Sequence, residues 1–187
     1  MSILTIGDSF TAQAPWKVWP TLLGEHLGMP VENRAVPGSG FIATGIWAGR
    51  NRFSRQLLTA QTTDPKLVVF FGSVNDQAAD NRELCTTAWA TLHAAKKRYP
   101  AAKHLWIGPQ WSGPDTIPSN VIAARDAVLQ AVWGLDFDCW MDPLDQQWFP
   151  RDRPELWDTD KFHPNGLGQQ RIESLIYTQA AKIVLGR

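Results

Sequence analysis

Short, nearly continuous apolar runs alternate along this chain with longer stretches in which apolar residues recur every three or four positions. "SILTI" (2–6), "KLVVFFG" (66–72) and "HLWIG" (104–108) read as buried strands, "VENRAV" (31–36) as an alternating one and "FDCWM" (137–141) as a weaker one. Between them, 16–28 carries Trp16, Trp19, Leu23 and Leu27 at helical spacing and stops at Gly28. Helices are also predicted over 46–61 (basic and amphipathic), 81–98, 119–133 and 165–185. Strands apolar throughout must be covered on both faces, and strands separated by helices pair in parallel. The pattern therefore predicts an α/β protein built on a parallel sheet. It has no internal repeat or linker, so 1–187 is read as a single domain. The longest irregular stretch is the proline-rich piece 143–164.

Composition narrows the function more than the fold. Hydrophobic residues make up 44% and charged residues 19% of 187, the balance of an ordinary globular protein. Eighteen basic and eighteen acidic side chains cancel, which gives no footprint for nucleic acid or an anionic membrane. The eight acids between Asp136 and Asp160 are read as a solvated face. Cys85 and Cys139 are too few for a disulfide framework or a zinc site, and no CxxC, HExxH or GxxxxGK[ST] occurs. The N-terminus "MSILTIGD" shows neither a secretory signal nor a membrane span. The expectation is a cytoplasmic protein, or one exported without a signal of its own. Ten tryptophans point to an aromatic core or an aromatic binding surface.

The chemistry gathers where the predicted strands end, which is where open α/β sheets place their sites. Those positions hold Gly7-Asp8-Ser9, Gly38-Ser39-Gly40, Gly72-Ser73-Val74-Asn75-Asp76, Gly108-Pro109-Gln110-Trp111 and, before the last helix, Asp160-Lys161-Phe162-His163-Pro164-Asn165. Taken alone, Ser9 fits the cap of a helix expected to follow it. A serine hydroxyl becomes a nucleophile when a base takes its proton, and histidine titrates in the suitable range. The histidine needs an acceptor on its second nitrogen, which Asp160, three residues before His163, can supply. The tetrahedral oxyanion needs donors already aimed at it: backbone N–H groups of Ser9 and a glycine, and an Asn amide. Gly38-x-Gly40-x-x-Ala43 also fits a loose dinucleotide pattern, but no acidic residue closes a following strand at the required distance.

These blocks, in this order over almost the whole chain, resemble the SGNH (GDSL) hydrolases. The resemblance implies a three-layer α/β/α sandwich with a five-stranded parallel sheet, a flavodoxin-like arrangement. It implies Ser9 as nucleophile and oxyanion donor, Gly38 from "NRAVPGSG" and Asn75 from "GSVND" as further oxyanion donors, His163 as base and Asp160 as its orienter. The sequence departs from the pattern twice. Phe10 stands where the first block usually has Leu and is expected to pack behind the serine. Ser73 stands where the third block usually has Gly, and would strain a turn that needs positive φ unless Gly72 takes it up.

The resemblance implies a serine esterase needing no metal or organic cofactor. Compact length with no lid insertion favours short acyl groups, chiefly acetyl, on a small-molecule or glycan ester such as O-acetylated carbohydrate. Trp111, Trp148 and Trp157 are the candidate substrate-lining aromatics. Asp8 and Asp76 are expected to brace loops through backbone N–H groups. The alternative is a weakly active or non-catalytic module of a larger assembly, such as a phage particle or a cell-wall-binding complex.

Overall fold

A computed structural model describes residues 1–45, 51–72, 74–111, 116–150 and 152–186. Five strands, β1 (Ser2–Gly7), β2 (Val31–Asn33), β3 (Pro65–Phe71), β4 (Lys103–Ile107) and β5 (Cys139–Met141), form one sheet in the order β2-β1-β3-β4-β5. Every pairing is parallel. Alternate strand residues face opposite layers, as a period of two requires. Ile3, Leu67, Val69, Phe71, Leu105 and Ile107 pack with α1 (Trp19–Leu27) and α5 (Gly166–Leu185). Leu4, Ile6, Val68, Phe70 and Trp106 pack with α2 (Phe53–Leu58), α3 (Asn81–Arg98) and α4 (Ser119–Trp133). The predicted α/β/α sandwich is the fold observed.

The long elements fall where periodicity put them, because strong local signals bound them. Asp80 caps α3, accepting the Arg82 and Glu83 N–H groups, and Asn165 caps α5 in the same way through Leu167 and Gly168. Three elements differ. β2 is a regular strand only over Val31–Asn33, although the Arg34 and Val36 N–H groups still donate to the Thr5 and Gly7 carbonyls of β1. α2 spans six residues within the predicted 46–61, of which 46–50 lie outside the described residues. No helix follows Ser9 directly. The Thr11 and Ala12 N–H groups bond to the Asp8 carbonyl in a single turn, and α1 starts only at Trp19, with Pro20 in its first turn. Among the described residues no helix is long and apolar enough to cross a membrane.

Candidate active site

β1 runs between β2 and β3 and ends at Gly7, where the backbone turns without room for a side chain. A Cβ there would sit 2.6 Å from Thr11 Oγ1 and 2.9 Å from the Phe71 carbonyl oxygen. Ser9 follows in that turn, half-buried, at the carboxyl edge of the sheet. Phe10 turns inward behind it and is 1% exposed. Its ring lies 5.6 Å from Phe162, edge to face, and 5.7 Å from the imidazole of His163. The departure from Leu thus places an aromatic wedge beneath the histidine.

His163 sits in a loop that folds back on itself before α5. The Asp158 N–H bonds to the His163 carbonyl at 2.8 Å and the Lys161 N–H to the Asp158 carbonyl at 2.9 Å. Asn165 donates its amide to the Glu155 and Trp157 carbonyls while capping α5. Lys161 takes up the tight corner with φ of 56°, a left-handed conformation uncommon outside glycine.

The loop aims His163 at two partners. Its Nδ1 lies 2.6 Å from Asp160 Oδ2 and its Nε2 2.8 Å from Ser9 Oγ. An ionised carboxylate only accepts, so the proton resides on Nδ1 and the Nε2 lone pair receives the Ser9 O–H. Asp160 Oδ1 also accepts the Phe162 and His163 N–H groups, each at 2.9 Å. Partial burial pushes the Asp160 carboxyl up, but the His163 ring N–H, these two backbone N–H groups and the nearby imidazole outweigh it and hold the group at about 2. Asp160 is therefore an anion at any working pH.

The three expected oxyanion donors come from separate strand ends. Gly38 has φ of 73°, and among the described residues neither its N–H nor that of Ser9 is hydrogen-bonded to an acceptor. Asn75 lies in a 3₁₀ turn, Val74–Asp76, after β3. Its Nδ2 donates to the Ser39 carbonyl at 2.9 Å, with Asp8 Oδ2 at 3.4 Å. The second contact is too long for a good hydrogen bond, which leaves that N–H open to a stronger acceptor. Positive φ in this turn falls on Gly72, at 133°, where a side chain would also meet Asp8 Oδ2. Ser73 lies outside the described residues.

Two buried acids hold these turns. Asp76 accepts the Phe41, Ile42 and Ala43 N–H groups between 2.8 and 3.0 Å, fixing the loop that follows Gly38. Asp8 accepts the Phe10 N–H and has no cation beside it among the described residues. Burial, with the neighbouring Asp76 charge and against the Phe10 N–H bond, raises its carboxyl to about 7.

The three tryptophans separate. Trp111 is half-buried and meets Phe162, the neighbour of His163, edge to face at 5.8 Å. Trp157 is half-buried and packs on Phe149 at 4.3 Å. Trp148 is a correction: it is 1% exposed, packs against Phe71 in the core and presents no surface to a substrate. A large indole next to a strand end buries more area inward than it can outward. The acids of 136–160 are likewise not all solvated. Asp142 is buried and paired with Arg125, and Asp138 pairs with Lys103 and accepts the His104 N–H. Among the described residues no group of three His, Cys, Asp or Glu is placed to hold a metal.

Sequence reasoning missed Gln56. This side chain of α2 is 3% exposed, and its amide meets both polar groups of Gly7 and the hydroxyl of Ser39. No local pattern marks a lone glutamine on a short basic helix as a contact to residues 17 and 49 positions away.

A five-stranded parallel sheet in this order, with a Ser–His–Asp chain of hydrogen bonds at its carboxyl edge, defines the SGNH class of hydrolases. The chain belongs to the GDSL-like lipase/acylhydrolase family, whose model matches residues 5–171. It is 31% identical over 187 residues to the GDSL lipase Rv0518 of Mycobacterium tuberculosis (strain ATCC 25618 / H37Rv), covering 93% of this chain and 79% of that one. Two solved structures share the fold. The psychrotrophic esterase EstA from Pseudoalteromonas sp. has a TM-score of 0.71 at 18% identity, over 100% of this chain and 99% of its own. Est24, a carbohydrate acetylesterase from Sinorhizobium meliloti, has a TM-score of 0.72 at 15% identity, over 97% and 99%.

Proposed function

We propose that this hydrolase is a serine esterase for short acyl esters, foremost acetyl esters, with O-acetylated carbohydrate as the favoured substrate class. The observation that carries the reading is the unbroken hydrogen-bond chain from Ser9 Oγ through His163 to Asp160. Ser9 Oγ attacks the ester carbonyl carbon as His163 Nε2 takes its proton. Asp160, anionic throughout, stabilises the imidazolium that forms. The carbonyl electron pair moves onto oxygen, which takes hydrogen bonds from the Ser9 N–H, the Gly38 N–H and the Asn75 N–H that the long Asp8 contact leaves available. Collapse of the intermediate expels the alcohol, protonated by His163. Water, deprotonated by the same imidazole, then releases the acid and regenerates Ser9.

The substrate reading rests on the Trp111–Phe162 pair. It stands as an aromatic wall beside His163, and aromatic faces suit sugar rings as well as small acyl groups. A carbohydrate acetylesterase among the structures of this fold agrees with that choice. The test is hydrolysis of p-nitrophenyl acetate and a panel of O-acetylated sugars by wild type and Ser9→Ala. Turnover that Ser9→Ala leaves intact rules the assignment out. Activity confined to long-chain esters rules out the substrate class.

A further inference from the structure

A glutamine amide buried between two catalytic turns has to be satisfied by what surrounds it, because a buried amide left unpaired has lost its water without replacement. Gln56 meets that requirement only through the nucleophile turn and its neighbours. The Gly7 N–H, which can only donate, lies 3.0 Å from one end of the amide, and that end is therefore Oε1. Nε2 then faces the Gly7 carbonyl at 3.0 Å, Ser39 Oγ at 2.8 Å and the Asn51 carbonyl at 3.0 Å, two N–H bonds shared among three acceptors. One side chain thus holds both backbone groups of Gly7, two residues before Ser9. It also holds the hydroxyl of Ser39, next to Gly38. The Ser39 carbonyl in turn receives the Asn75 amide. A leucine or methionine would pack α2 against the sheet equally well, but would take away the acceptor of the Gly7 N–H at the point where the chain turns, leaving the Gly7 carbonyl to the Val36 N–H and the Ser39 hydroxyl.

We infer that Gln56 is a positioning residue that sets the spacing of the Ser9, Gly38 and Asn75 donors around the developing oxyanion. The inference rests on the serine-esterase reading above. Gln56 touches no substrate atom. It acts by tying the end of β1 to the turn that presents Gly38, so that the donors are in place before charge appears on the carbonyl oxygen. Preorganised donors of this kind help the transition state and do little for the bound ester.

Two variants test this. Gln56→Met keeps the volume and removes every hydrogen bond. Gln56→Glu keeps the acceptor for the Gly7 N–H but turns the donor end into an acceptor once ionised. With p-nitrophenyl acetate, Gln56→Met is expected to lower kcat between about 10- and 100-fold while KM stays within about threefold. Affinity for a short alkyl boronic acid, which adds to Ser9 as a tetrahedral anion, is expected to weaken in step with kcat. Gln56→Glu, which folds with its carboxyl protonated, is expected to lose activity relative to wild type as pH rises from about 5 to about 8. This variant carries the test should Gln56→Met not fold. A kcat and boronate affinity within about twofold of wild type in folded Gln56→Met overturns the inference. So does a Gln56→Glu pH profile parallel to wild type. Ser9→Ala run alongside separates the two failures. If it retains turnover the esterase reading is wrong, and if it alone is inactive the fault lies with Gln56.

Discussion

The Nδ1 of His163 lies 2.6 Å from Oδ2 of Asp160, and the same aspartate accepts the backbone N–H of His163 through Oδ1. Ring and main chain of one residue are thus held by one carboxylate three positions upstream, which fixes both the tautomer and the direction of Nε2. Asp160→Asn keeps the shape and reverses the tautomer preference. Its kcat on p-nitrophenyl acetate is expected to fall between about 10³- and 10⁴-fold with the fold intact, by analogy with other Ser–His–Asp sites. A loss under tenfold would show that Asp160 does not orient the base.

Asp8 gives the protein a pH dependence of its own. Its carboxyl stands at about 7 in the fold, against about 3.9 in an unfolded chain, so the folded state holds a proton that the unfolded state has released. Its contribution to stability is fully present below pH ~4 and is lost as pH rises towards 7, by on the order of 3–4 kcal/mol at most. Asp8→Asn is expected to remove that decline, gaining stability over wild type at about pH 8 and little at about pH 4. Urea unfolding at the two pH values measures it. A variant no more stable than wild type at the higher pH contradicts a raised Asp8 carboxyl.

Phe10 fills the space under His163 and Phe162 with an aromatic ring. Phe10→Leu gives up those ring contacts, worth about 0.5–1.5 kcal/mol each, and leaves space beside the imidazole. The expected outcome is a loss of about 1–3 kcal/mol in denaturant unfolding and a several-fold fall in kcat with KM little changed. An equally stable, equally active Phe10→Leu would mean that the ring does not support His163.

Trp111 packs edge to face on Phe162, and the proposed substrate reading makes it part of the acyl wall. Trp111→Ala is expected to raise the ratio of kcat/KM for p-nitrophenyl butyrate over acetate by about tenfold, since each methylene admitted or excluded is worth about 1–3 kcal/mol. Assays on both esters read the ratio directly. An unchanged ratio places the acyl group elsewhere.

Much of this was legible from local pattern, and the physical reason is the same in each case. β3, α3 and α4 have bounds close to those expected because burial on both faces, or on one helical stripe, writes its period into consecutive residues. Asp160 and His163 were readable as a pair because three residues separate them. Ser9 and His163, whose side chains meet across 154 positions, were linked only through the order of the family's blocks. What the linear chain determined by itself was the α/β layering and the strand-end location of the site, carried by period and short spacing, while the roles expected of Ser9, His163 and Asp160 came from the likeness of their blocks to the family's. Tertiary structure alone decided that Trp148 belongs to the core, that Phe10 supports the imidazole, that Asp8 is buried without a cation among the described residues, and that Gln56 joins two turns. Burial and hydrogen-bond partnership are properties of neighbours in space, and residues dozens of positions apart leave no periodic trace of meeting there.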